Sequence, residues 1–399
     1  MRGFPVWLRA MGASGALLLL TGCWSSLDFK NAAIVMGTGF DSDPQGYRIS
    51  VEMLIPGAEQ SGSQSNPVAQ SLVLERADQN LHGFARHFIR DSKRKLVFTH
   101  NRVWIVKDTL AKENLLRILD ILERGEMLRM HSYLFITPEN PTEILKTHPL
   151  FKTQTSIELS LGMKEVKFVS DYATPNVREF MRMLSEPPYT AFLPVLHIRQ
   201  NTNKPIPEVG ETAIIKGDHM IGELNRNETM GLLWLRGSVK GTTISAGGIA
   251  DHPVQIEAHG LDTKIKPVLQ DGKLSVNVKV SLRGAVAEVA PEVRVNEDFI
   301  KELEQQVSDK VAAQIRETLQ TLQGTFQTDI TGIGLEVYRR YPQEWHRLEK
   351  NWDELFAAAK VHVDVKAEIY HQGLVDHTLG ADRARPKFNP YRPGEWKER

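Results

Sequence analysis

One cysteine and thirteen histidines are the side chains of this 399-residue chain most suited to nucleophilic or metal chemistry. Neither set forms a recognisable constellation. The sole thiol, Cys23, has no Cys to pair with, and it closes Leu20-Thr21-Gly22-Cys23 behind an apolar run, Ala10 to Leu20, with Arg2 and Arg9 upstream. The run is shorter than the roughly 20 residues a spanning helix needs, so it reads as a signal peptide. The pattern resembles a lipobox, whose cysteine is alkylated by diacylglycerol and becomes the new N-terminus. A free thiol behaving as a small core hydrophobe is the alternative. Two acyl chains at about 0.8 kcal/mol per buried methylene would hold the chain on a membrane without a spanning helix.

No other chemistry assembles. There is no His-Glu-x-x-His pair, no phosphate-binding glycine loop and no Gly-x-Ser-x-Gly elbow. His82 and His87 are five apart, off the spacing that places two ligands on one helix face. His362 alternates with Asp364, a pattern more common on solvated strands than at metal sites. Gly37-Thr38-Gly39 lacks the third glycine and following helix of a dinucleotide loop. Catalytic, cofactor-binding and metal-ligating residues are therefore all expected to be none. Forty-nine basic residues balance forty-nine acidic ones, and removing residues 1 to 22 with Arg2 and Arg9 leaves 47 against 49, near −2, so no general nucleic-acid binding is expected.

Two apolar clusters stand out instead. Glu228 to Leu235 gathers large side chains around Gly231, and Asp329-Ile330-Thr331-Gly332-Ile333-Gly334 leads into Tyr341, Trp345 and Trp352. Trp234, Trp345 and Trp352 are either partner contacts, for which Trp is favoured, or core.

The elements that must position these clusters follow from periodicity. A hairpin over Ala32 to Leu54 puts Tyr47, Ile49, Val51 and Met53 on a buried face and Arg48, Ser50 and Glu52 on the other. Gly57 to Gln70 reads as a mobile loop, Asn80 to Arg90 as a helix, Leu96 to Val106 as one strand and Asp108 to Gly125 as a capped helix. Further segments are a strand from His131, helices from Thr142 and Asn176, and a strand over Tyr189 to Ile198 that Pro194 assigns to a sheet edge. Asn225 caps the next helix, and Asp271-Gly272 suits a type I′ turn between long alternating strands. A stripe from Phe299 to Phe326 predicts one long amphipathic helix, and Val361 to Ile369 a last strand.

The fold class expected is α+β, three mixed α/β domains with largely antiparallel sheets after an N-terminal lipoprotein signal peptide. The divisions are 1–22 signal peptide, 23–30 lipidated tether, 31–204 N-terminal α/β domain, 205–252 middle domain, 253–375 C-terminal α+β domain with the long helix, and 376–399 basic Pro-rich tail. From Gly380 on, that tail carries six Lys or Arg against three acids, so it is either solvated or in contact with anionic headgroups.

The lipobox with Cys-Trp, AAIVMGTGFD, GLLWLRGSVKG, KIKP and DITGIG…YPQEW…NWDELF together resemble the Ger(x)C family, lipid-anchored C subunits of spore germinant receptors. The resemblance implies a non-enzymatic lipoprotein on the extracytoplasmic face of the spore inner membrane. Its partners would be membrane lipid, through diacylglyceryl-Cys23, and two integral membrane subunits, A and B, that act in nutrient-triggered germination. Residues 24–28 depart from the family in lacking a charged run, and the tail extends past its usual end. Outside that resemblance, a lipid-anchored solute-binding protein of a transporter and a cell-wall hydrolase are the other readings. The long antiparallel hairpin weighs against the first, and the lack of paired acids against the second.

Overall fold

Apolar alternation from Ala32 onward builds two sheets, each with its own helical cover. The computed structural model describes residues 32–54, 71–81, 83–124, 129–147, 149–151, 154–166, 170–200, 204–249, 252–289 and 295–370. Cys23, the 57–70 loop, His82 and the C-terminal tail lie outside them.

The first sheet contains β1 (Ala32–Asp43), β2 (Gly46–Leu54), β3 (Ser71–Asp78), β4 (Lys95–Val97), β5 (Val103–Lys107), β6 (Tyr133–Thr137), β7 (Thr190–Gln200), β8 (Pro205–Lys216) and β9 (His219–Leu224). Their order is β3-β2-β1-β5-β6-β7-β8-β9, with β4 beside β1. Strands β1, β5, β6 and β7 run parallel, flanked by antiparallel pairs. Helices α1 (Phe84–Ser92), α2 (Asp108–Arg124) and α5 (Val177–Ser185) cover one face, and α3 (Pro141–Leu145) and α4 (Thr155–Glu165) the other. Parallel strands with both faces buried need such a two-sided cover.

The second sheet, in the order β10 (Thr242–Ile249), β11 (His252–Gln270), β12 (Lys273–Glu288) and β13 (Lys360–Tyr370), is antiparallel except for the β12–β13 pair. Asp271 and Gly272 both have positive φ, 51° and 73°, as a type I′ turn requires. Across the sheet lie α6 (Arg226–Leu235), α7 (Glu297–Gln320), a π-helical turn at Thr321–Phe326, α8 (Ile333–Arg340), α9 (Pro342–Leu348) and α10 (Trp352–Ala358). Leu303, Val307, Val311, Ile315, Leu319 and Leu322 form the expected stripe along α7 and into the π turn, all buried.

The fold is thus mixed α/β with mostly antiparallel sheets, and three expectations are corrected in detail. Pro194 is not at an edge: β7 lies between β6 and β8, and a register shift between Pro194 and Leu196 absorbs the missing donor. The strand expected over Leu96 to Val106 breaks at a turn, Thr99 and His100, into β4 and β5. The first hairpin is buried on both faces, since Ser50 and Glu52 are as inaccessible as Ile49 and Val51. Strands β7 and β8, on either side of 204/205, pair with each other; β8 and β9 extend the first sheet, α6 enters the second core and β10 the second sheet. The reason is apolar continuity, because Phe192, Ile214 and Leu224 of the first sheet pack in one core with Leu232, Ile315 and Trp345.

Candidate interface site

The cluster around Asp329 sits on the seam between these two halves. Asp329 is fully buried and Gly332 takes a positive φ of 92° just before α8. The carboxylate serves as the cap that this helix start otherwise lacks. Oδ1 accepts from the Thr331 N–H at 2.8 Å and its hydroxyl at 2.6 Å, and Oδ2 accepts from the Gly334 N–H at 2.6 Å. A side chain at Gly334 would press on Asp329 Oδ2 and on Pro188, so the second glycine of DITGIG lets the two halves meet. The hydroxyl of Thr190, at the start of β7, donates to the Asp329 carbonyl oxygen.

Arg236, at the end of α6, completes the knot. Its Nη1 donates to the Ile330 carbonyl at 2.9 Å, and its guanidinium lies 5.0 Å from the centroid of Phe192. Burial pushes the Asp329 carboxyl up and the Arg236 guanidinium down, opposed by their mutual attraction and by the Thr331 and Gly334 donors. Beside it a cleft of about 310 Å³ separates Tyr172 and Arg182 of the first half from Arg236 and Lys240 of the second.

A second buried carboxylate performs a similar service in the first half. Glu52 Oε1 accepts from the Thr155 N–H at 2.9 Å and the Ser71 hydroxyl at 2.8 Å, and Oε2 accepts from the Ser156 N–H at 2.9 Å and from its hydroxyl. The negative charge thus meets the N-terminus of α4. Burial nonetheless pushes the Glu52 carboxyl up. Gly37 and Gly39 admit this packing, because a Cβ there would fall 1.9 Å from Ser156 Oγ and 2.6 Å from Pro141 Cβ. The Gly-Thr-Gly segment is therefore a surface for close helix approach.

The three tryptophans are core. Trp234, Trp345 and Trp352 are 2%, 1% and 4% exposed. Trp234 Nε1 donates to Gln314 Oε1 at 2.9 Å, and the rings of Trp345 and Trp352 lie 4.9 Å apart. Their burial leaves no face for a partner. His87 is joined to Asp78, and His362 and Asp364 are exposed, with Lys279 3.8 Å from Asp364. Among the described residues no group of three His, Cys, Asp or Glu side chains is placed to hold a metal, and no helix is long and apolar enough to cross a membrane.

Sequence reasoning found the Asp329 and Gly231 clusters but missed Glu52, helix α4 and Arg236 as a buried charge. The signal for α4 was faint, since its apolar residues share the inner face with Ser156 and Ser160.

Comparison with known proteins adds to this geometry. Residues 25–198 match the family model described as "Spore germination protein N-terminal domain", and residues 210–373 the one described as "Spore germination B3/ GerAC like, C-terminal". Spore germination protein KC of Bacillus subtilis (strain 168) is 23% identical over 384 residues, 89% of this chain and 92% of the relative. Spore germination protein A3 of the same organism is 24% identical over 388 residues, 92% and 97% of the two chains. The crystal structure of the GerBC protein superposes with a TM-score of 0.57 at 19% identity, covering 84% of this chain and 96% of that one, a likeness of fold.

Proposed function

The chain belongs to the GerAC-like spore germination proteins, and from that premise we propose that it is the lipid-anchored, non-enzymatic C subunit of a nutrient germinant receptor. In this reading diacylglyceryl-Cys23 holds it on the extracytoplasmic face of the spore inner membrane, where it assembles with integral membrane A and B subunits. The observation that carries it is the succession of the two family matches over 25–198 and 210–373, directly behind the lipobox at Cys23.

The site geometry supports a structural role. Both oxygens of Glu52 and of Asp329 are engaged by the chain's own N–H and O–H donors, a use of carboxylates that ties elements together. Deleting the gene and restoring it as wild type or as Cys23→Ala tests the reading. Germination in response to at least one nutrient should be lost on deletion, return with the wild type and stay impaired with Cys23→Ala. Unaltered nutrient germination in the deletion strain, with no paralogue substituting, would refute it.

A further inference from the structure

A cationic pocket of about 430 Å³ opens at the N-terminal ends of the parallel strands β5 and β6. Arg102, Arg129, His131 and Lys164 line it with the hydroxyl residues Ser132 and Ser160, and its described lining includes no carboxylate. The nearby Glu179 is engaged, accepting from the Asn176 N–H at 3.0 Å. Elsewhere cations are commonly paired, as in Arg48 with Asp43 and Glu75, Arg76 with Asp91, and Arg124 with Asp120. Among the described residues, Arg102, Arg129 and Lys164 have no such partner and the buried Arg102 Nε has no acceptor.

The backbone holds these charges in place. The Arg102 N–H donates to the Met36 carbonyl at 2.8 Å, and its carbonyl accepts from the Tyr133 N–H at 2.9 Å. The Arg129 carbonyl accepts from the Ser132 N–H at 2.9 Å and from its hydroxyl at 2.5 Å. Three unneutralised cations converging on one concavity repel each other, and an anion with several acceptor oxygens relieves that repulsion.

We propose that this pocket binds a phosphate group, supplied either by the headgroup of an anionic phospholipid or by a free phosphate ester. Its position favours the lipid source. Strand β1 runs parallel to β5, so the pocket lies at the end of the sheet where Ala32 begins. The nine steps from Cys23 to Ala32 span at most roughly 30 Å, which keeps this end near the bilayer once Cys23 is lipidated. Arginine-lined basic pockets suit such headgroups. The site does not depend on which membrane proteins the chain meets.

The test uses the mature chain, residues 23–399, carrying Cys23→Ala, so that neither an acyl anchor nor the apolar leader holds it on lipid. Inorganic phosphate is titrated, and cosedimentation is measured with phosphatidylcholine vesicles with and without phosphatidylglycerol. Arg129→Gln with Lys164→Gln is the decisive variant, because both side chains are exposed and melting should be unchanged. Saturable binding should weaken about tenfold for each charge removed. Retention on phosphatidylglycerol vesicles, lost in the variant, assigns the headgroup; saturable phosphate binding lost in the variant without vesicle retention assigns the free ester. Absence of saturable binding to either probe, or equal binding by chain and variant, overturns the proposal.

Discussion

The hydroxyl of Thr190, first residue of β7, donates to the carbonyl oxygen of Asp329, 139 residues further along the chain. Thr190 belongs to the first sheet and Asp329 to the turn before α8, so this bond fastens one half of the protein to the other. The same Asp329 caps α8 with its carboxylate while Arg236 supplies the nearby positive charge. A seam built on a buried charge is sensitive to single changes.

Asp329→Ala leaves the Thr331 and Gly334 N–H groups and the buried Arg236 uncompensated. The loss should be about 3 kcal/mol, since breaking a buried charged network costs that order. Asp329→Asn, which keeps an acceptor for Thr331, should cost less. Urea unfolding of the three proteins side by side measures the difference.

Trp345→Ala should cost about 3–5 kcal/mol, the range for emptying a core of a large aromatic. Trp345→Phe should restore most of the stability and leave partner capture intact. A Trp345→Phe protein that melts normally yet captures no partner would return this residue to the contact surface.

Gly231 lies where α6 crosses α7, and a Cβ there would fall 2.0 Å from Thr318 Oγ1 and 2.3 Å from the Gln314 carbonyl oxygen. Backbone and a buried hydroxyl cannot yield, so the helices must separate. Gly231→Ala should destabilise by about 1–3 kcal/mol. Thermal melts would show it, and a neutral result would mean the crossing is looser than described.

Glu52 sets a pH dependence. Burial raises its folded-state pKa above the ordinary 4.5, so the folded state binds the proton more tightly than the unfolded chain. This contribution is fully present below 4.5 and is lost as pH rises through the folded-state value. Asp329, raised for the same reason, acts in the same direction. Replacing Glu52 by Gln removes one of the two groups, so the stability advantage of wild type over Glu52→Gln should shrink between pH 4.5 and pH 7. Denaturation at the two pH values measures it.

Glu52 also marks where the sequence was hard to read. Arg48, Ser50 and Glu52 alternate with apolar residues as on a solvated face, and only the distant start of α4 turns Glu52 inward. The α7 stripe, the Asp271-Gly272 turn and the Asn225 cap were legible because each is a local pattern. The Asp329 cluster was visible as a dense motif, yet its partners Thr190 and Arg236 come from other elements. Arg102, Arg129 and Lys164 are likewise separate in sequence and meet only because β5, β6 and α4 bring them to one end of the sheet. Pro194 misled because a bulge replaced the edge position it suggested.

The central claim, membership of an anchored receptor complex, is most directly tested by detergent pull-down of the tagged chain from spore inner membranes, comparing wild type with Cys23→Ala. Two polytopic membrane proteins of the A and B type should copurify with wild type and be depleted with Cys23→Ala. Recovery of an ABC-type permease, or of no membrane partner with wild type, would contradict it.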